Sequence, residues 1–303
     1  MDDSPWGIMW REIHHDKLAL FGLVLFILVV VGIYIGAFFV DDGIIMRVDR
    51  EMLRNRLRPP AVSEMMTLGA ERPQPGFILG TDESGRDMFH MLLLGARNSL
   101  NIAFSVAIAG SVIGILIGLF SGFYGGHVDN VMMRFMDFLA MIPLIMLVIL
   151  FVRLLSPVSL AMLSVLLIFL MAWQGTARLI RIMALKQGMM DYVSASKTMG
   201  TPGIVIIFRE VLPNLVSIIL SNFTLTLATF VGIETGLSFL GLGLPFNVPS
   251  LGVLLTNARN PFDMQHRMWL WLPAAVLVII LMLCINFVGQ ALNRAADAKK
   301  RRM

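Results

Sequence analysis

The chain has 303 residues, 57% of them hydrophobic and only 15% charged, with a mean hydropathy of +0.80. Soluble domains carry about 25% charged residues, so the composition excludes an ordinary soluble domain and points to an all-α integral membrane protein. The net charge of +4 and the pI near 9.6 do not imply nucleic acid, because basic residues are scattered over tails and loops and never gather with aromatics on one face. The single cysteine, Cys284, lies in an apolar run and excludes a disulfide framework or a cysteine metal site.

Residues 1–17 form a short cytoplasmic tail in this reading, and the first span follows at 18–40. Crossing about 30 Å of hydrocarbon takes roughly 20 apolar residues, and this run holds no charged side chain. It is too long for a signal-peptide core and no small-residue cleavage site follows, so it is predicted to be retained. Residues 41–97 are predicted to be an external loop, with Pro59-Pro60 and Pro73-Gln74-Pro75-Gly76 marking irregular connections.

Further apolar stretches at 100–123, 131–155, 158–173, 212–230 and 268–290 bring the total to six transmembrane helices. Five of these make up a core over 98–293 that also contains a long loop at 174–211, and residues 294–303 form a basic tail. Ser156-Pro157 is predicted to close a tight external hairpin. Six spans put both ends on one side. Lys299-Lys300-Arg301-Arg302 and the loop residues Arg178, Arg181, Lys186, Lys197 and Arg209 place that side in the cytoplasm. The first loop holds Arg47, Arg50, Arg54, Arg56, Arg58, Arg72 and Arg86, but it is near the length at which charge stops controlling orientation.

Gly110, Gly114, Gly118 and Gly122 recur every four residues and align on one helix face, allowing another helix to approach closely, either within the chain or across a subunit interface. Among the charges in or near the spans, Glu234 is the clearest candidate for a pathway or bundle polar contact, with Asn222 a second polar candidate on the same predicted helix. Arg134 and Asp137, three residues apart, are predicted to pair across one turn, and Arg153 to snorkel at a helix end. No G-x-x-x-x-G-K-[ST] phosphate loop occurs, so no ATP site is expected in this chain. The five histidines never fall into a metal spacing, and Ser238 lacks the second glycine of a nucleophile elbow. No catalytic residue, cofactor or metal ligand is predicted.

The 174–211 loop exceeds the usual two to eight residues of a helix connection. Tyr192, Ala195, Ser196 and Met199 recur at helical spacing, Gly200 suits a left-handed helix end, and Thr201-Pro202 reads as an N-cap followed by a first-turn proline. Small residues at Ser194, Ala195 and Ser196 admit a close partner, and Leu212-Pro213-Asn214 is predicted to restart the membrane helix.

The run from Asp191 to Gly200, followed by Leu212-Pro213-Asn214, resembles the E-A-A-x-x-x-G…L-P signature of ABC importer permeases. Gly80-Thr81-Asp82-Glu83-Ser84-Gly85-Arg86-Asp87 through Gly95-Ala96-Arg97-Asn98-Ser99-Leu100, and the stretch 236–243, resemble its oligopeptide, dipeptide and nickel branch. The similarity covers nearly the whole chain. Ser194 and Ser196 stand where the family places a glutamate and then an alanine; Asp191 lies one turn earlier. Glu210 stands where close relatives often have histidine, and Gln290 where they often have aspartate.

The resemblance implies half of a translocation pathway in a bacterial plasma membrane. It further implies a second permease, two cytoplasmic ATPases carrying ATP and magnesium, and an external binding protein that delivers peptide. Docking would fall to Asp191, Tyr192, Ser194, Ala195, Ser196, Gly200, Leu212 and Pro213. Nickel complexes are the rival cargo within the family. An ion-coupled secondary transporter is the rival outside it, although it would need several midplane ionisable groups where Glu234 stands nearly alone.

Overall fold

The computed structural model describes residues 16–40, 50–60, 77–155 and 159–302. The Ser156-Pro157 turn, Pro73 to Gly76, Arg47, Arg72 and the tail before residue 16 lie outside these residues, as do the side chains of Lys299 to Arg302.

The first helix, α1 (Lys17–Phe38), begins where the Leu18 and Ala19 N–H groups donate to the Asp16 carboxylate at 3.0 and 3.2 Å, an N-cap that satisfies two otherwise orphaned donors. A short helix, α2 (Arg50–Arg54), precedes the long α3 (Met88–Tyr124). Asp87 caps α3 through the Phe89 N–H, so this helix starts well inside the stretch assigned to the external loop, and Gly125, at φ +62°, ends it. At 1.5 Å per residue α3 is about 55 Å long, more than the hydrocarbon thickness.

The predicted third span is broken. Helix α4 (Gly126–Met141) and α5 (Leu144–Leu154) meet at 72°. Pro143 removes a donor and pushes Ile142 into an extended conformation, at φ −89° and ψ 130°. The fourth span, α6 (Leu160–Leu167), is capped by Ser159 and passes through a π turn (Ile168–Ala172). After a 40° bend it continues as α7 (Gln174–Gly188), so the loop predicted from residue 174 is helical for its first half. Helix α8 (Asp191–Thr198) follows, then α9 (Gly203–Phe239).

Residues Leu212 and Pro213 do not restart a helix, because α9 runs through them. The π turn at Ile207–Val211 lies just ahead of Pro213, where a proline ring needs room against the preceding turn and leaves a carbonyl without its donor. Short helices α10 (Leu251–Leu255) and α11 (Pro261–His266) lead to α12 (Leu272–Arg302). Helices α1, α3, α9 and the Leu272–Arg294 part of α12 are each long and apolar enough to span a bilayer, four in all among the described residues, and up to six where each bent pair counts as one span.

Helix α3 is the central strut and packs on α1, α6, α7, α9 and α10, while α12 packs on α1 and α9. Its buried face includes Ile102, Ala103, Val106 and Ala107 among residues of α5, α6 and α9. Leu18, Phe21, Leu28 and Ile35 of α1 stay exposed, as a lipid-facing helix requires.

Two sets of contacts define the ends of the bundle. At one end Arg294 of α12 pairs with Asp16, and Ala19, Leu220 and Leu292 pack together. The start of α1, the first half of α9 and the end of α12 therefore share that end. At the other end Thr81 is fully buried. Its hydroxyl donates to Asn55 O at 2.5 Å and accepts from Arg58 N–H at 2.8 Å, and its carbonyl accepts from Trp269 Nε1 at 3.3 Å. The Asp82 carboxylate accepts from the Ser84 and Arg86 backbone N–H groups and pairs with the Arg86 guanidinium at 2.7 Å. The Gly80–Asp87 motif is thus a folded hub joining the α2 segment, the start of α3 and the approach to α12.

Candidate functional site

Helix α8 lies between the end of α7 and the start of α9. Its C-terminus is closed by a Schellman arrangement: Thr201 N–H donates to Ser196 O at 3.1 Å and Gly200 N–H to Lys197 O at 3.0 Å. Gly200 has φ +79°, the left-handed conformation that glycine adopts without penalty. Pro202, not Thr201, occupies the N-cap position of α9, one residue later than the spacing predicts, and makes no side-chain cap.

One face of α8 is an anchor. Val193 is fully buried among Leu119 of α3, Ile180 and Ala184 of α7, and Ile206, Val211 and Leu215 of α9. Ser196 is also buried and donates its hydroxyl to Glu210 Oε1 at 2.6 Å. The Tyr192 hydroxyl donates to Gln187 Oε1 and accepts a long 3.4 Å contact from Asn214 Nδ2, which also donates to Glu210 O at 2.8 Å. Lys197 Nζ lies 4.8 Å above the Phe123 ring. Partial burial raises the Tyr192 phenol above its ordinary pKa.

The opposite face is free. Asp191, Tyr192, Ser194, Ala195 and Gly200 are exposed, and so are Met189 and Met199, at 79% and 77%. Ser196 therefore differs from the sequence expectation: it faces inward and fixes the helix instead of admitting a partner. Leu212 and Pro213 lie within α9: Leu212 packs against the cluster around Val193, and Pro213 is exposed.

Glu234 is fully buried in the second half of α9. The Ser238 hydroxyl donates to its Oε1 at 2.9 Å, and Ser99 of α3, Ser250 and Thr235 surround the same carboxyl, whose Oε2 has no hydrogen bond. Ser99 and Ser250 in turn accept from the Leu251 and Val253 N–H groups at 3.0 and 3.1 Å. Glu234 thus sits at the junction of α3, α9 and α10 with no surface exposed to solvent. Asn222, near the midpoint of α9, donates to Thr176 Oγ1 of α7 at 2.8 Å and borders an open cleft.

Gly114, Gly118 and Gly122 face α7 of the same chain, and Gly110 faces Ala172 in the π turn that leads into it. A side chain begun at Gly114 would stand 2.6 Å from Trp173 O, at Gly118 2.6 Å from Ala177 O, and at Gly122 2.5 Å from Arg181 O, while at Gly110 it would overlap Ala172.

The predicted Arg134–Asp137 pair does not form. Asp137 pairs with Arg178 of α7 at 3.1 Å, since α7 crosses that side of α4, and Arg134 is exposed. A second link escaped the sequence reading: Asp129 accepts from Ser121 Oγ at 2.6 Å and from both Arg181 Nε and Nη2, the latter at 2.5 Å. Arg181 lies 52 residues from Asp129 in the chain, and no motif signals the link. Arg153 is exposed at the end of α5. Among the described residues no cluster of three or more His, Cys, Asp or Glu side chains is arranged to hold a metal ion.

Comparison with known proteins agrees with this architecture. Residues 114–302 match the model of the binding-protein-dependent transport system inner membrane component, and residues 4–60 match the N-terminal transmembrane domain of oligopeptide transport permease C. The chain is 39% identical over 290 residues to the oligopeptide transport system permease protein OppC of Lactococcus lactis subsp. cremoris, covering 96% of this chain and 93% of that one. It is 32% identical to the dipeptide transport system permease protein DppC of Bacillus subtilis, covering 97% and 85%. It is 30% identical to OppC of Escherichia coli, covering 98% and 92%. An inward-facing structure of the MetNI methionine ABC transporter shares the fold, with a TM-score of 0.54 at 22% identity over 69% of this chain and 97% of the other. The chain is a membrane-embedded permease and belongs to the family of binding-protein-dependent transport system inner membrane components.

Proposed function

We propose that this chain forms half of a translocation pathway in an ATP-driven importer, paired with a second, similar permease. Two cytoplasmic ATPases that bind ATP and magnesium would dock on it, and an external binding protein would deliver peptide. The observation that carries the reading is α8: an exposed rim of Met189, Tyr192, Ala195 and Met199 on a helix whose opposite face is locked to α7 and α9. A rigid helix with a bare apolar rim suits a partner that must push on it. The relatives' names, permeases of oligopeptides and dipeptides, support peptide as the cargo over nickel complexes.

In this reading α8, both chain ends and the basic α12 tail lie in the cytoplasm of a bacterial cell, and the Gly80–Asp87 hub faces outward to the binding protein. Closure of the ATPase pair moves α8. The Val193 contacts and the Ser196–Glu210 bond pass that displacement to α7 and α9 together, so the spans tilt as units between inward-facing and outward-facing states. Asp191 supplies a negative group at the rim where Ser194 replaces the family's glutamate.

The test is co-purification of the ATPases from membranes. Ala195→Asp puts a charge into the apolar rim. Gly200→Val has space for its side chain but places a β-branched residue at positive φ. Both are expected to insert normally and to lose at least about tenfold of the bound ATPase, equivalent to roughly 1.4 kcal/mol. Undiminished co-purification by both variants overturns the docking assignment.

A further inference from the structure

We propose that the cleft between α7 and α9 beside Asn222 is a contact site for cargo, and that it binds the main-chain amides of an extended peptide irrespective of side-chain charge. This rests on the permease reading above and adds to it where the cargo is touched and by what chemistry.

The cleft has a volume of about 310 Å³, and none of its lining residues carries a charge. Asn222, Thr226 and Thr229 follow one another at helical spacing and form one polar stripe on α9, with Thr176 of α7 facing them. Asn222 lies near the middle of Gly203–Phe239, a helix that spans the membrane. Polar side chains at that depth face the bundle interior or a water-filled path, because hydrocarbon offers them no partner. Asn222 and Thr226 are only half-buried and Thr229 is exposed, so the stripe is not sealed in the bundle and its open side marks a wet surface.

The hydrogen-bonding capacity is also unspent. Asn222 gives one N–H to Thr176, and Thr229 gives its hydroxyl proton to Leu225 O at 2.8 Å. Among the described residues no donor meets Asn222 Oδ1 and no partner meets the Thr226 hydroxyl. What remains is a mixture of neutral donors and acceptors, the complement of a peptide main chain. The repeat fits as well: four residues of α9, from Asn222 to Thr226, rise about 6 Å, close to the roughly 6.6 Å between alternate residues of an extended chain. Opposite the stripe, Gly175 is exposed, with no atom within 4 Å of the point where a side chain would start. The wall of the cleft there is bare backbone.

The test uses the complete complex in proteoliposomes. Because Cys284 is the only cysteine of this chain, Cys284→Ser gives a permease chain in which Thr226→Cys or Thr229→Cys is the sole thiol, and labelling is read on that chain after the subunits are separated. Labelling by a membrane-impermeant charged thiol reagent, slowed by transported peptide, is the expected result. Labelling only by a lipid-soluble reagent, or by neither, overturns the proposal. In the same complex Gly175→Trp is expected to stop uptake while the ATPases remain bound. Asn222→Asp is expected to slow acidic peptides by about tenfold relative to basic ones of equal length, as a fixed negative charge in a partly desolvated cleft requires, whereas the wild type treats both alike. Unimpaired uptake by Gly175→Trp, or an unchanged acidic-to-basic ratio in Asn222→Asp, counts against the site. A wild-type complex that transports no peptide would overturn the proposed function itself, a separate outcome from a cleft that charged reagents cannot reach.

Discussion

Glu234 illustrates how burial sorts a polar side chain into a role. Its carboxyl is enclosed by hydroxyls from α3, α9 and the start of α10, and it fixes the turn that follows α9. The turn itself is tight: Leu242 N–H donates to Leu237 O at 2.9 Å and Leu244 N–H to Ser238 Oγ at 3.4 Å. Glu234→Gln keeps an acceptor for Ser238 and is expected to retain uptake. Glu234→Leu leaves the surrounding hydroxyls without it and is expected to cost about 1–3 kcal/mol, read as a lower unfolding temperature in detergent. Loss of uptake in Glu234→Gln with an unchanged unfolding temperature would show that the carboxylate acts in transport instead. At Glu210 the logic is similar but local. Glu210→Ala frees Ser196, so α8 is expected to keep its exposed rim while transmitting ATPase motion poorly, measured as less peptide moved per ATP hydrolysed.

Helices α3 and α7 behave as one element, because backbone meets backbone at Gly114, Gly118 and Gly122. Gly114→Leu or Gly118→Leu must drive the two helices apart, and overpacking of this kind costs about 1–3 kcal/mol or more. Both are expected to reduce folded permease in membranes, measured by the monodisperse fraction after extraction. Helix α4 is tied to the same pair by Asp129–Arg181 and Asp137–Arg178. Removing one member of a half-buried pair strands the other, so Asp129→Ala is expected to be more damaging than the reversal Asp129→Arg with Arg181→Asp. If the double variant unfolds at a lower temperature than either single variant, the pair is not what holds α4.

Over the whole molecule, the number of apolar stretches was legible in the sequence because span length follows from bilayer thickness alone. Their shapes were not. The break at Pro143 divides what reads as one apolar run, while Pro213 reads as a helix start and lies inside α9, since a π turn absorbs it. The Schellman turn at Gly200 was legible because glycine at a positive φ leaves a local signature. Ser196 was not, since which side of a short helix faces inward depends on what α7 and α9 place against it.

The sequence by itself determined that the chain lives in a bilayer, that α3 carries a face fit for close helix contact, and that the stretch around Gly200 is an ordered surface feature. Each follows from composition, period or a single residue's backbone preference. Only the tertiary structure decided that the glycines serve the bent α6–α7 span of the same chain, that Glu234 is sealed in while Asn222 borders an open cleft, and that Asp129 meets Arg181. Those outcomes depend on which helix faces which, and that is settled by packing between residues far apart in the chain, to which local pattern is blind.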